Sequence, residues 1–314
     1  MSGPVVECVP NFSEGIDARR VEAIVAAMRG EGVRLLDWSM DAEHNRSVVT
    51  IAGEPSAVVE ASVRGVGKAV ELIDLTRQQG VHPRIGAADV VPFVPVSGIK
   101  LEQCALLARQ AGLEIWRRYG VPVFFYEAAA ARPDRANLEE VRRGQFEELK
   151  EAVRKEATRR PDLGGPGLHP TAGACAVGAR KFLVAYNIYF DSSDVSIVRA
   201  IAREIRAANG GLKGVKALGV LAHGRAQLSM NITDFQVTPI SQVYRAVSSL
   251  ALKHKIAPVE GELIGLIPEA AFERESEWMR QLNGFDPETK ILERRLGAPL
   301  AWPGEESERV KEFI

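Results

Sequence analysis

Apolar residues recur along the first part of the chain in short runs and at helical spacing, which predicts strands that alternate with helices. An apolar run over residues 5–10 is typical of a strand, and apolar positions three and four apart predict a helix over residues 16–28. Two strand-like runs joined by a polar turn occupy residues 33–53, and a second helical pattern covers residues 56–73. The predicted order is therefore strand, helix, strand, strand, helix.

The next apolar run, residues 90–96, predicts a strand that contains Pro92 and Pro95. Because proline lacks a backbone N–H group, such a strand is expected at the edge of a sheet or at an irregular turn. We place this strand, at either position, beside a cleft. A helix, an apolar strand and a charged helix are predicted to follow between residues 101 and 155.

Glycine and proline are concentrated in residues 159–181, which predicts a loop and a joint between two domains. Between residues 181 and 265 the pattern then predicts a strand, a helix, two strands, a helix and a strand. The repeated order predicts an α/β (α+β) fold of two βαββαβ, ferredoxin-like subdomains, residues 1–179 and 180–314. Residues 268–314 are charged with a helical pattern, and the pattern gives them no position within the second subdomain.

Charge and cysteine content restrict the classes of function. With 40 Lys and Arg against 41 Asp and Glu, the chain lacks the basic excess typical of proteins that bind nucleic acid or anionic membranes. No apolar stretch reaches the roughly 20 residues of a membrane span, and the first residues lack a signal-peptide pattern. The cysteines Cys8, Cys104 and Cys175 lack the paired spacing of a zinc or redox site. We therefore expect a cytoplasmic protein whose partners are small molecules or a second copy of itself.

His82 lies in a stiff segment, since Pro83 follows it and Gly80 and Gly86 flank it. Proline biases the residue before it toward extended backbone, and the glycines permit sharp turns, so this loop can hold an imidazole in one orientation. Histidine suits proton transfer because its pKa lies near neutrality. A structural or incidental histidine is the alternative interpretation.

The segment DAEHNRS, residues 41–47, is typical of a β-turn, in which Asp and Asn side chains bond to nearby backbone groups. Alternatively, Asn45 and Arg46 present donors to a carboxylate, which arginine binds with two parallel hydrogen bonds. No metal site is expected, because His44 and His82 lie far apart along the chain and no pair of ligands has helical spacing.

The segment GACAVGARK, residues 173–181, shares only its glycines with a phosphate-binding loop. Ala179 and Arg180 stand where Lys and Ser or Thr should follow the second glycine, so a phosphate-loop NTPase is not expected. Glycine-rich backbone favours the close approach of a flat organic ligand, with a plain interdomain linker as the alternative. A serine hydrolase is not expected either, because no nucleophile-elbow motif is present.

Several blocks of the sequence resemble, in order, the formiminotransferase part of the formiminotransferase-cyclodeaminase family and its stand-alone bacterial relatives. The blocks are VECVPNFSEG, NRSVVTIAG, HPRIGAADVVPFVPV, GARKFLVAYNI and SMNITDFQVTPISQVY. The resemblance implies transfer of a formimidoyl group from N-formimidoyl-L-glutamate to N5 of the co-substrate tetrahydrofolate. It also implies two βαββαβ subdomains with a ligand tunnel between them, and a homodimer. We expect the transferase alone, without the cyclodeaminase domain, and no metal ion.

The same resemblance places the family's catalytic histidine on His82 and its folate-binding loop on residues 164–173. That loop comprises Gly164, Gly165, Pro166, Gly167, Leu168, His169, Pro170, Thr171, Ala172 and Gly173. It keeps the family's glycine and proline frame but lacks the tryptophan found in the animal enzymes. Its location therefore carries over better than its individual contacts.

The expected donor carries two carboxylates and a cationic amidinium group, and these determine which side chains should surround it. Basic side chains should bind the carboxylates. Acidic side chains should lie near the reacting carbon, because the charge to be stabilised there is positive, whereas an oxyanion hole stabilises a negative charge. Amide side chains can read the edge of the pterin through paired contacts. The candidates for the carboxylates are Arg46, Arg84 and Lys181, and those for the reacting carbon are Asp37, Asp41 and Asp89. The candidates for the pterin edge are Asn11, Asn187 and Asn231.

Three other functions stay open. The first is a folate-binding protein that has lost the chemistry, and the second is a transferase for a related donor such as N-formylglutamate or 5-formyltetrahydrofolate. The third is a structural assembly protein. A binder should hold folate without turnover, a transferase should release glutamate only when both substrates are present, and a structural protein should have no affinity for folate.

Overall fold

The computed structural model describes residues 3–282 and 284–304. The described residues form two compact units: one contains residues 3–180 together with residues 299–304, and the other lies within Lys181–Ala298. The sequence analysis assigned every residue after 179 to the second subdomain. In the structure, however, the Leu300 N–H donates to the Leu35 carbonyl at 2.8 Å, which joins residues 299–304 to the first unit.

The first unit begins with a βαββαβ arrangement in which the first strand is broken into two short pieces. Its elements are β1 (Val5–Cys8), β2 (Asn11–Phe12), α1 (Ala18–Ala27), β3 (Val33–Asp41), β4 (Arg46–Gly53), α2 (Pro55–Leu72) and β5 (Ala88–Ser97). β3 pairs with β4, and both β1 and β2 lie between β4 and β5, all antiparallel. This is the strand order of a ferredoxin-like sheet, as predicted.

A parallel extension follows, formed by α3 (Leu101–Tyr119), β6 (Val123–Glu127), α4 (Leu138–Val141), α5 (Gln145–Lys155) and β7 (Cys175–Ala179). β7 lies between β5 and β6 and runs parallel to both. The concentration of glycine and proline predicted a loop for residues 175–179, and that prediction is wrong. All five residues of β7 are buried, and a strand buried on both faces shows no polar alternation that would mark it in the sequence. Gly178 serves packing in this strand, since a Cβ there would lie 2.5 Å from the Tyr126 ring.

The strand with two prolines, β5, lies in the interior of the sheet, so it occupies neither of the two predicted positions, a sheet edge or an irregular turn. It pairs with β1 and β2 on one side and with β7 on the other. Pro95 lies opposite Val6, beside a bulge between Val5 and Val6, and the Pro92 carbonyl accepts from the Val9 N–H at 3.2 Å. A bulge disrupts the ladder locally, and such a place tolerates the missing N–H of proline.

The second unit is a four-stranded antiparallel sheet in the order β11–β8–β10–β9. Its elements are β8 (Val184–Phe190), α6 (Val195–Ile205), β9 (Val215–Ala222), β10 (Arg225–Ile232), α7 (Ile240–Lys253) and β11 (Pro258–Ile264). The predicted βαββαβ order is confirmed. Three helices that the sequence left unplaced follow it: α8 (Glu269–Met279), α9 (Pro287–Lys290) and α10 (Leu292–Gly297).

Each unit has its own hydrophobic core. In the first unit, α1, α2 and α3 cover one face of the sheet, over buried side chains such as Phe12 and Phe93. Val141 and Leu149, from α4 and α5, pack with Phe124 in a separate cluster on the other face. Among the described residues, no helix is long and apolar enough to cross a membrane.

Candidate active site

Four segments of the first unit come together at one end of its sheet. They are residues 13–17 after β2, the turn between β3 and β4, residues 78–87 before β5, and residues 164–174 before β7. They meet because β2 and β3 end where their neighbours β4, β5 and β7 begin. Ser13 joins two of them, since its N–H donates to the Ala87 carbonyl at 2.9 Å and its hydroxyl to the Gly86 carbonyl at 2.7 Å.

The His82 segment packs directly on the turn between β3 and β4. The Val81 N–H donates to the Glu43 carbonyl at 3.1 Å, and a Cβ on Gly80 would lie 2.4 Å from the His44 carbonyl oxygen. His82 Nδ1 lies 2.8 Å from the Pro83 carbonyl oxygen. Because that oxygen can only accept, Nδ1 carries the proton, and a neutral ring then has its lone pair on Nε2. The loop thus holds the imidazole ring through its Nδ1–H group.

A buried ion cluster of Arg46, Asp89 and Arg142 lies beside His82. Asp89 is 0% exposed. Its Oδ2 accepts from Arg46 Nη1 at 2.8 Å and from Arg142 Nη2, and its Oδ1 accepts from the Ile85 N–H at 2.8 Å. Arg46 Nε donates in turn to Asn11 Oδ1 at 3.1 Å. Three of the predicted residues, Asn11, Arg46 and Asp89, are therefore brought together.

The cluster carries one net positive charge, from two arginines and one aspartate. Burial alone would raise the pKa of Asp89, but Arg142 and Arg46 outweigh it and hold that pKa at about 2. Burial lowers the pKa of Arg46 to about 10, against the attraction of Asp89, so it stays protonated at neutral pH. Burial, then Arg46 and Arg142, push the pKa of His82 well below its usual range. His82 is therefore a neutral imidazole at pH 7.

Asn45 and Arg84, both predicted to contact substrate, hold the His82 segment in place. Asn45 Oδ1 accepts from the Gly15 N–H at 2.9 Å, and its Nδ2 donates to the Gln79 carbonyl at 2.7 Å. Arg84 forms a bidentate ion pair with Glu147, in which Nη1 donates to Oε2 at 2.8 Å and Nη2 donates to Oε1 at 2.7 Å. Arg84 Nε also donates to Gln78 Oε1, and its Nη2 to the Gln78 carbonyl. These contacts favour positioning roles over direct substrate binding.

The remaining substrate candidates belong to β3 or to the second unit. Asp37 pairs with Thr50, four positions or about 13 Å along β3 from the turn. Asp41 Oδ1 accepts from the His44 N–H at 2.8 Å and so closes the turn itself. Lys181, Asn187 and Asn231 belong to the second unit.

The C-terminal end of the glycine-rich loop is hydrogen-bonded to the His82 segment. The Ala87 N–H donates to the Ala172 carbonyl and the Ala174 N–H to the Ile85 carbonyl, both at 2.9 Å, on either side of a bridge between Gly86 and Gly173. Gly173 has a φ of +68°, and a Cβ there would lie 2.2 Å from the Ile85 carbonyl oxygen. Glycine is therefore needed at this junction.

The outer part of the loop is exposed, and its inner part is folded on itself. Gly164, Gly165 and Pro166 are exposed, and Gly164 packs so closely on Trp116 that a Cβ would lie 2.8 Å from the ring. His169 Nδ1 accepts from the Ala172 N–H at 3.0 Å, so this histidine stabilises the turn. The loop thus presents, at Gly164, Gly165 and Gly167, backbone without side chains, to which a flat ring can approach closely.

Two features of the site were missed from the sequence. Arg142 lies in a charged stretch that indicated only a solvated helix, and no local signal marks it. His44 and His82, far apart along the chain, have ring centroids 6.1 Å apart in an edge-on arrangement. Within the residues that the structure describes, no group of three or more His, Cys, Asp or Glu side chains could hold a metal ion.

Comparison with known proteins adds to this geometry. Residues 5–180 match the formiminotransferase domain, N-terminal subdomain, and residues 185–292 match the formiminotransferase domain. The chain is 44% identical to a glutamate formimidoyltransferase of Thermoplasma acidophilum, over 93% of this chain and 97% of that protein. It is 41% identical to one of Streptococcus pyogenes, over 93% and 98%. It is also 37% identical to a formimidoyltransferase-cyclodeaminase of Gallus gallus, over 99% of this chain and 60% of that protein.

Proposed function

The chain belongs to the formiminotransferase family, and we propose that it is a glutamate formimidoyltransferase. It transfers the formimidoyl group of N-formimidoyl-L-glutamate to N5 of tetrahydrofolate, giving 5-formimidoyltetrahydrofolate and L-glutamate. The structural observation that supports this proposal is the contact between the His82 segment and the glycine-rich loop. It holds a neutral imidazole next to a backbone surface suited to a flat cofactor.

His82 acts as the base and then the acid of the transfer. The N5 lone pair attacks the amidinium carbon, a C–N5 bond forms, and His82 Nε2 takes the proton from N5. The imidazolium then returns that proton to the glutamate nitrogen as its bond to carbon breaks, and the electron pair of that bond stays on the nitrogen. One group can make both transfers because they occur in sequence, and a base that is neutral at pH 7 suits the first of them.

The net charge of the cluster selects the acidic end of the donor. Asp89 is satisfied by Arg46, Arg142 and the Ile85 N–H, so it does not serve as the counter-ion of the amidinium. The excess positive charge attracts a glutamate carboxylate instead, and Arg46 is our candidate for that contact. Residues 164–173 form the folate-binding loop in this proposal.

We further propose a homodimer that works in the cytoplasm. The resemblance to the family supports the dimer. The free cysteines Cys8, Cys104 and Cys175 are all buried, which agrees with a reducing compartment. Light scattering of the purified protein measures the oligomeric state directly.

The test is to mix the purified protein with N-formimidoylglutamate and tetrahydrofolate and to follow 5,10-methenyltetrahydrofolate after acidification. We expect the parent protein to turn over these substrates. The substitution His82→Ala should lower the rate by about 10²–10⁴-fold, the typical contribution of general acid–base catalysis. His254→Ala, in the second unit, is the control and should keep parental activity. Because His82 is already neutral, the parental rate should change little between pH 6 and pH 8.

Other outcomes identify the remaining functions. Folate binding without glutamate release would indicate a binding protein that has lost the chemistry. Turnover with N-formylglutamate but none with the formimidoyl donor would indicate a transferase for a different one-carbon group. Either result rejects the proposed reaction.

A further inference from the structure

We propose that Arg142 is a positioning residue of the transfer reaction: it fixes the Asp89 carboxylate and, through it, the segment that carries His82. The inference rests on the proposed function. Arg142 follows α4, and Asp89 lies 53 positions earlier, at the start of β5. The two side chains meet inside the protein, where Asp89 is 0% exposed.

The contacts form a chain from α4 to the base. Arg142 donates to Asp89 Oδ2, and Asp89 Oδ1 accepts from the Ile85 N–H at 2.8 Å. Ile85 stands three residues after His82, and its carbonyl accepts from the Ala174 N–H of the glycine-rich loop. Arg142 thus orders the backbone that connects the proposed base with the proposed folate loop.

The same arginine contributes to the charge around the imidazole. The charged groups that act on the His82 ring are Arg46 from β4, Asp89 from β5 and Arg142 after α4, and the ring of His44, from the turn between β3 and β4, lies beside it. The backbone of Glu43, in the same turn, contacts the neighbouring Val81. Through charge, Arg46 and Arg142 oppose protonation of His82, and Asp89 favours it. Removal of Arg142 therefore leaves Asp89 with one arginine instead of two, and makes the imidazolium easier to form.

Three variants separate charge from geometry. Arg142→Met removes the charge and keeps much of the side-chain volume, and Arg142→Lys keeps the charge but replaces the planar guanidinium by a flexible ammonium. Arg143→Met is the matched control. Arg143 is next to Arg142 in sequence, but its side chain is 66% exposed, and its Nη1 lies 3.6 Å from Glu140 Oε2. Thermal unfolding shows whether each variant is folded. If Arg142→Met does not fold, Arg142→Gln removes the same charge.

The readouts are the pH profile of kcat/KM and the NMR titration of the His82 ring, assigned among the five histidines with a His82 variant. For Arg142→Met we expect the acid limb of the profile and the His82 titration to move up by about one pH unit or more. We expect kcat/KM at neutral pH to fall by about tenfold or more, because the His82 ring is held less precisely in its reactive orientation. Arg142→Lys should lower kcat/KM while the limb stays near its parental position.

An Arg142→Met protein whose His82 titrates as in the parent and in Arg143→Met would overturn the inference. So would a loss of stability with no change in either titration or kcat/KM. The two proposals fail separately: absence of formimidoyl transfer in the parent rejects the proposed function, whereas the NMR titration still tests the effect of Arg142 on His82.

Discussion

The substitution Asp89→Asn tests the ion cluster most directly, because it removes one charge and almost no volume. In the parent, Arg46 and Arg142, whose side chains are 9% and 15% exposed, share the fully buried Asp89 carboxylate. Asparagine can still accept from the Ile85 N–H, but its amide cannot balance two buried guanidinium groups. Removing one partner from a buried ion pair typically costs about 3–5 kcal/mol of the free energy of unfolding.

The pH dependence gives a second magnitude. The pKa of Asp89 is lowered from 3.8 to about 2 in the folded protein. Since one pKa unit corresponds to about 1.4 kcal/mol, the depression contributes about 2 kcal/mol to stability. A lowered pKa stabilises the folded state above the unfolded pKa, and this contribution disappears as the pH falls through the folded pKa. About half of it should be lost by pH 3.

The assay is urea unfolding at pH 7, 5, 4 and 3, followed by tryptophan fluorescence in a Trp278→Phe background. The other tryptophans, Trp38, Trp116 and Trp302, all belong to the first unit, so the signal then reports that unit. We expect the difference between parent and Asp89→Asn to be large at pH 7 and to shrink from pH 4 downward.

The control for this experiment is Asp134→Asn, since Asp134 also pairs with an arginine, at 2.5 Å, but its side chain is 55% exposed. Surface ion pairs contribute little, so its unfolding midpoint should hardly move. If Asp89→Asn is no more destabilising than Asp134→Asn at pH 7, or if its effect is independent of pH, the buried cluster does not hold the fold as argued.

Two further substitutions test the loop junction and a helix end. Gly173→Ala places a Cβ 2.2 Å from the Ile85 carbonyl oxygen at a φ of +68°, so it should weaken tetrahydrofolate binding, measured by fluorescence titration. Gly297→Ala, outside the proposed folate-binding loop, places a Cβ with no atom within 4 Å and should bind normally. Arg64 donates to the carbonyls of residues 27, 28 and 29 at the end of α1. Arg64→Met removes these hydrogen bonds and should lower the free energy of unfolding by about 1–2 kcal/mol, measured by urea titration. Arg109 is exposed, so Arg109→Met should leave the free energy of unfolding almost unchanged.

The sequence by itself determined the order of strands and helices, because their hydrophobic periods are local. The βαββαβ order of residues 184–264 in the structure follows the predicted pattern, with element ends displaced by only a few residues. It also determined the local stiffness around His82, since Pro83 and the flanking glycines restrict the backbone wherever the loop lies. The quoted blocks, in turn, indicated the family before any geometry was known.

Only the tertiary structure decided which distant residues meet. The position of β5 inside the sheet depends on β7, which pairs with it from 80 or more residues away in sequence. The pairing of Arg142 with Asp89 spans 53 positions, and His44 approaches His82 through the packing of two loops. Hydrophobic periodicity reports how one segment exposes its faces and carries no information about which other segment covers them. The charge around the proposed base is for that reason a property of the fold.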